Sequence, residues 1–209
     1  MRLIDTHSHL FLEEFSEDFP QVIERARAAG VTHIFMPNID STTIEAMLSA
    51  CSVYKGYCFP MIGLHPTSVN ANYEKELEIV ARELKFSKEY VAIGEIGMDL
   101  YWDKTYLKEQ QIVLDKQVNW ALEYDLPIVI HCRDAFDYIY KVLEPYKKTP
   151  LRGIFHSFTG TAEEATRVLE FSDFFIGING VVTFKKSHLP EILAGIPLAK
   201  IVLETDSPY

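Results

Sequence analysis

Cysteine is scarce in this chain. Cys51, Cys58 and Cys132 are the only three in 209 residues. An odd number without close pairing argues against a disulfide framework and fits a reducing compartment. Long apolar runs are also missing: nothing approaches the roughly 18 residues that a membrane span requires. Only Arg2 precedes the first short apolar run, which soon turns acidic, so neither a signal peptide nor a membrane partner is expected. Basic residues are outnumbered, 20 lysines and arginines against 30 acids, for a formal charge of −10. That balance argues against a passive nucleic-acid binder with a basic footprint. It leaves room for an enzyme that meets phosphate through bound cations, since two divalent ions would bring about +4 to one place. Low-complexity segments, linkers and close repeats are absent as well. The expectation is one domain over residues 1–209 of a cytoplasmic protein, or a nuclear one in a eukaryote.

What the chain does contain is a regular alternation. Eight short runs rich in Val, Ile and Phe recur: RLIDTH (2–7), VTHIFMPN (31–38), GYCFPMIGLHP (56–66), YVAIGEIG (90–97), PIVIHC (127–132), RGIFHSF (152–158), FFIGING (174–180) and KIVLETDSP (200–208). Most segments between them have the spacing of amphipathic helices. Those at 18–29 and 41–55 stop before Gly30 and Gly56, residues suited to helix C-termini. Thr161 and Glu164 have capping-box spacing. Apolar strands alternating with helices imply a parallel sheet covered by helices. Eight of them suggest a (β/α)8 TIM barrel, although counting alone also admits an open doubly wound sheet.

The polar residues at the ends of these runs decide between the two. His7 and His9, in IDTHSHL (4–10), are two residues apart, which in extended chain puts both on one face. His65, Glu95, His131, His156 and Asp206 stand at or just past later runs; only His33 and His188 of the seven histidines do not. In a barrel all strand ends converge on one rim, whereas the outer strands of an open sheet would hold them apart. Imidazoles and carboxylates suit Zn²⁺, Mn²⁺ or, with more oxygen ligands, Mg²⁺. His7, His9, Glu95, His131, His156 and Asp206 exceed the three protein ligands of a typical catalytic zinc. They match two ions sharing a bridging carboxylate, an arrangement that can activate water and stabilise a leaving oxygen. Each residue alone also has a structural reading: a hydrogen-bonded histidine, a helix cap at Glu95, a turn at Asp206.

DTHSHL (5–10), GLHP (63–66), IGEIGMDLYWD (93–103), PIVIHCRDA (127–135), FHSFTG (155–160) and ETDSPY (204–209) together resemble the ordered motifs of TatD-type deoxyribonucleases, within the amidohydrolase-like metal-dependent hydrolases. The resemblance runs from residue 3 to the last. It implies a (β/α)8 barrel, two divalent ions and hydrolysis of DNA phosphodiesters, often at single-stranded or frayed 3′ ends in the 3′–5′ direction. On this reading His7, His9, Glu95 and Asp206 hold one ion. Glu95, His131 and His156 hold the other, with Glu95 bridging and Asp206 also handling the proton of the attacking water. His65 matches the GxHP motif and touches the scissile phosphate, or is a structural strand-end histidine. Arg133 pairs with phosphate, or, the plainer reading, with Asp134 or Asp137. Asp99 orients a ligand histidine or a water, or ends a loop. Asp5 and Glu204, sharing strand faces with the ligands, sit a layer below as acceptors for imidazole N–H groups. Tyr101 and Trp102 stack on unpaired bases, or pack on their own loop.

The chain departs from the family in stopping at Tyr209, just after the eighth run, where relatives continue into a closing helix. The expectation is a C-terminally truncated barrel with Ile201 and Leu203 facing water, at about 1.5–3 kcal/mol per unburied side chain. Two other functions stay open. One is hydrolysis of small amides or lactones; many such enzymes bridge their metals with a carboxylated lysine, where this chain has Glu95. The other is an inactive metal-binding or scaffold protein.

Overall fold

The computed structural model describes all residues 1–209. Eight strands, β1 (Leu3–Asp5), β2 (Val31–Pro37), β3 (Cys58–Met61), β4 (Ile93–Asp99), β5 (Ile128–Arg133), β6 (Gly153–Phe155), β7 (Phe174–Ile178) and β8 (Ile201–Leu203), alternate with seven helices. These are α1 (Phe19–Ala28), α2 (Ile44–Val53), α3 (Tyr73–Phe86), α4 (Leu107–Glu123), α5 (Phe136–Leu143), α6 (Ala162–Val168) and α7 (Leu189–Leu193). All ladders are parallel, β1-β2-β3 and β4-β5-β6-β7-β8. A bridge between Ile62 and Ile93 joins β3 to β4. Backbone bonds from Thr6 N–H to the Leu203 carbonyl (3.1 Å) and from Asp206 N–H to that of His7 (2.9 Å) join β8 to β1. The strands thus form a ring, the (β/α)8 barrel expected from eight alternating units rather than the open sheet.

Packing follows the strand period. Ile34, Met36, Ile128, Ile130, Phe155, Phe174 and Ile176 belong to one large core with helix residues Ile23, Met47, Val80, Leu114, Ile139 and Val168. A smaller cluster of Met61, Ala92 and Val129 is separate; Val129 precedes His131 by two and so shares its strand face. The capping box at α6 forms as expected, with Glu164 N–H donating to Thr161 Oγ1 and Thr161 N–H to Glu164 Oε2. Gly30 takes φ +92° one residue beyond the α1 C-cap, a conformation glycine adopts without penalty.

Strand lengths differ from the expected runs. β1, β3, β6 and β8 are three or four residues long, so His7, His9, His65, His156 and Asp206 follow their strands, whereas Glu95 and His131 lie inside theirs. The outer face of β8 also corrects one expectation. Leu203 is 54% exposed, as foreseen, but Ile201 is partly buried against the core. No helix follows β8 within residues 204–209.

Candidate metal centre

Residues 6–9 have left the β1 ladder yet stay bonded to the backbones on both sides. Thr6 N–H donates to the β8 side and Ser8 N–H to the Phe35 carbonyl of β2 (3.1 Å), while His9 N–H reaches the carbonyl of Ser207 (2.8 Å). His7 and His9 therefore face the same way, with their Nε2 atoms 3.1 Å apart. The convergence inferred from strand spacing exists, but flanking backbones impose it rather than a continued ladder.

Glu95 sits where the β4–β5 register shifts, and its two oxygens face different partners. Oε2 lies 3.1 Å from His7 Nε2 and 3.5 Å from His9 Nε2. Oε1 lies 2.9 Å from His131 Nδ1, 3.1 Å from His156 Nε2 and 3.3 Å from His65 Nε2. Asp206 Oδ1 stands over the first group, 3.7 Å from His7 Nε2 and 3.9 Å from His9 Nε2. Gly97 makes the close approach of β4 to β5 feasible: at φ +139°, an added Cβ would lie 2.0 Å from the His131 carbonyl oxygen.

These separations fit cations. Ligands at about 2.1 Å from a metal are about 3.0–3.4 Å from one another in octahedral or tetrahedral shells, close to the spacing of His7, His9 and Glu95. Donor groupings within reach of one ion are His7–His9–Glu95, His7–His156–Asp206 and His65–Glu95–His131. His65 thus stands among the candidate donors.

The electrostatics divide the donors: His7 and His65 are lowered, whereas Glu95 and its neighbouring carboxylates raise His131 and His156. Burial, with the neighbouring His156, pushes His7 down to about 4, leaving a neutral imidazole with a free lone pair. Burial lowers His65 too. Burial alone would raise Glu95, but the surrounding His156, His65 and His7 and the bond from His131 hold it well below the usual carboxylate range. His156 is buried, which opposes its protonation, yet Glu95 and Glu204 raise it well above 6.5. Burial, reinforced by Glu95, pushes Asp206 up to about 6.

Behind these donors the expected supports divide. Glu204 Oε1 faces His156 Nδ1 at 3.3 Å, and Asp99 Oδ2 lies 2.9 Å from His131 Nε2. Asp5 departs from expectation: it accepts no imidazole N–H. Its oxygens take the backbone N–H of Thr205 (2.9 Å), the Thr205 hydroxyl (2.7 Å) and the backbone N–H of His7 (3.3 Å), so it clips the two ends of the ring together. Arg133 pairs with neither Asp134 nor Asp137; Asp137 is bound by Arg167 at 2.6 Å. Tyr101 and Trp102 lie exposed beside Arg133.

Two buried glutamines were passed over in the sequence. Gln110 Oε1 accepts Asp99 N–H (2.9 Å) and Gln117 Oε1 accepts Leu64 N–H (2.7 Å). Each pins the strand end beside a candidate donor. Their signal is polar residues seven apart on the face of α4 that also buries Val113 and Leu114.

The cleft above the donors encloses about 620 Å³ and is bounded by His9, His65, Glu95, His131, His156 and Asp206, with Arg133 and Trp102 on its wall. A carboxylate shared by imidazoles at the C-terminal mouth of a parallel barrel is the ground plan of a metal-dependent hydrolase, an enzyme that cleaves ester-type bonds with water. Residues 4–209 match the family model described as TatD related DNase. The metal-dependent hydrolase YabD of Bacillus subtilis (strain 168) is 36% identical over 99% of this chain and 80% of its own length. The 3'-5' ssDNA/RNA exonuclease TatD of Pantoea ananatis (strain LMG 20103) is 32% identical over 99% and 80%. The crystal structure of YJJV, a TatD homologue from Escherichia coli, superposes with a TM-score of 0.91 at 32% identity, again over 99% and 80%. The chain belongs to the TatD-related DNase family. No helix is long and apolar enough to cross a membrane.

Proposed function

We propose that this chain is a divalent-metal-dependent deoxyribonuclease that trims single-stranded or frayed DNA from its 3′ end. The observation that carries the reading is the division of Glu95, one oxygen toward His7 and His9 and the other toward His65, His131 and His156. Such a carboxylate is suited to bridge two ions of Mg²⁺, Mn²⁺ or Zn²⁺. When bound, such ions supply Lewis-acid charge to a phosphoryl oxygen and make water a better nucleophile.

The chain's own residues do the rest. Asp206, on a residue with φ +59°, presents its carboxylate into the cleft and takes the proton of the attacking water at Oδ1. Asp99 fixes the ring of His131 by a hydrogen bond at Nε2, and the Glu204 carboxylate lies 3.3 Å from His156 Nδ1. The Pantoea relative, an exonuclease by name, supports the substrate class and polarity. Three free cysteines agree with a reducing, cytoplasmic setting. Hydrolysis of small amides or lactones is less favoured because β4, IGEIGMD, carries no lysine to bridge metals.

The test offers 5′-labelled single-stranded DNA to the purified protein with each of the three metals. Stepwise shortening, abolished by chelator and by Asp206→Asn, is expected. Intact DNA with every metal, alongside turnover of amides or lactones, would overturn the reading. Inertness toward every substrate would point instead to a metal-binding scaffold.

A further inference from the structure

Arg133 ends β5 opposite Asp99, its register partner on β4, yet the two side chains do not pair. Asp99 is already engaged: Oδ1 accepts the backbone N–H groups of Tyr101 (3.0 Å) and Trp102 (3.4 Å), and Oδ2 lies 2.9 Å from His131 Nε2. Asp137 is taken by Arg167. Every arginine or lysine ion pair in the structure involves another residue, so Arg133 is left without a carboxylate. Its guanidinium instead stacks 4.0 Å from the centroid of Tyr101 and 5.2 Å from that of Trp102. The two aromatic rings meet edge to face, 4.9 Å apart at 89°.

Three features of this cluster point outward. Trp102 is 70% exposed, so most of its indole has no protein partner. Arg133 is the one arginine or lysine among the sixteen residues lining the cleft, in a chain of net charge −10. The loop that presents both rings hangs on Asp99, the residue that also bonds His131, so the rim is tied to the metal-type donors.

We infer that Trp102, Tyr101 and Arg133 read one unpaired nucleotide: the Trp102 indole stacks on a base beside the scissile bond, and Arg133, held flat by Tyr101, pairs with a phosphate of the same strand. This rests on the deoxyribonuclease reading and names the part of that site that demands an open strand. A base within a duplex has both faces covered by its neighbours, whereas a splayed one offers a face to an aromatic platform. A guanidinium fork fits two phosphate oxygens at once, and stacking on Tyr101 holds its plane without neutralising it.

The experiment compares strands that are identical except for an abasic residue at the terminal or penultimate position. For Trp102→Ala, kcat/KM on the normal strand is expected to fall on the order of tenfold or more, the range for loss of a stacking aromatic. On one of the abasic strands the variant and wild type should be equal, and Trp102→Phe should retain most of the rate. Arg133→Ala should make the slope of log kcat/KM against log salt shallower by about 0.7, the share of one single-strand phosphate contact. A second readout needs no catalysis. In Trp120→Phe protein held in chelator, where Trp102 is the sole tryptophan, oligothymidylate should quench the fluorescence and an abasic oligomer should not. Equal losses on all strands, or none, in a protein whose wild type trims DNA would overturn the inference and leave the deoxyribonuclease reading standing. A wild type inert on DNA would overturn that reading, and absence of quenching would then dispose of the platform as well.

Discussion

Glu204 and His156 face each other across 3.3 Å, Oε1 to Nδ1, on the side of the ring away from Glu95. Glu204 also accepts the backbone N–H of Ser157, so one carboxylate holds the turn and sets its charge beside the imidazole that precedes it. Glu204→Gln keeps an acceptor but removes the charge that makes His156 a stronger donor. The expected result is metal affinity lowered 10- to 100-fold, read by calorimetric titration of Mn²⁺ or Zn²⁺. Unchanged affinity would remove His156 from the ligand set.

Glu95, like His7, belongs to two of the three donor groupings, and it is the carboxylate that joins His7 and His9 to His65 and His131. In wild type, metal at a hundred times its dissociation constant should stabilise the fold by about 2.7 kcal/mol, seen as a rise in Tm that chelator reverses. Glu95→Gln should abolish most of that rise, whereas Asp206→Asn, which leaves the imidazoles and Glu95 in place, should keep part of it. Equal responses in wild type and Glu95→Gln would show that the bridge is not used.

Gly97 cannot carry a side chain where β4 meets β5. Gly97→Ala would drive a Cβ to 2.0 Å from the His131 carbonyl oxygen at a positive φ. A loss of about 3 kcal/mol or more in urea unfolding is expected, within the range reserved for backbone clash and strain. Gly195→Ala is the control, because its Cβ would meet only the Ile192 carbonyl at 3.5 Å; it should stay within about 0.5 kcal/mol of wild type.

Asp5 gives the metal-free protein a pH signature. Burial pushes its carboxyl up to about 6, against an ordinary 3.8, despite the bonds from Thr205 and His7. The folded state therefore holds a proton that the unfolded state has released between these values. Its stability contribution is fully present below the unfolded value and is lost as pH rises through about 6. Relative to Asp5→Asn, wild type in chelator should lose on the order of 2 kcal/mol between pH 4 and 7. Parallel curves for the two proteins would refute the assignment.

Much of this was legible in the sequence because parallel barrels have simple rules. Eight apolar runs with helical spacers placed every strand, and polar residues at their ends located the rim. The residues hardest to read depend on partners far along the chain. Asp5 looked like an imidazole acceptor from strand parity, but Thr205, two hundred positions away, takes its oxygens. Arg133 looked like half of a local ion pair, but Asp137 goes to Arg167 and the guanidinium lies over Tyr101 instead. Gln110 and Gln117 resembled ordinary polar helix residues, since no local pattern reveals which strand end a helix will face.

The seam between residues 6–9 and 203–207 also has a consequence for synthesis. His7 and His9 emerge first from the ribosome, but apart from the Ser8 bond to Phe35 the backbone bonds that aim them come from Leu203, Asp206 and Ser207. Contacts separated by nearly the whole chain form late, after local units have collapsed. The two rings therefore take their final aim only once residues 203–207 have docked beside residues 6–9.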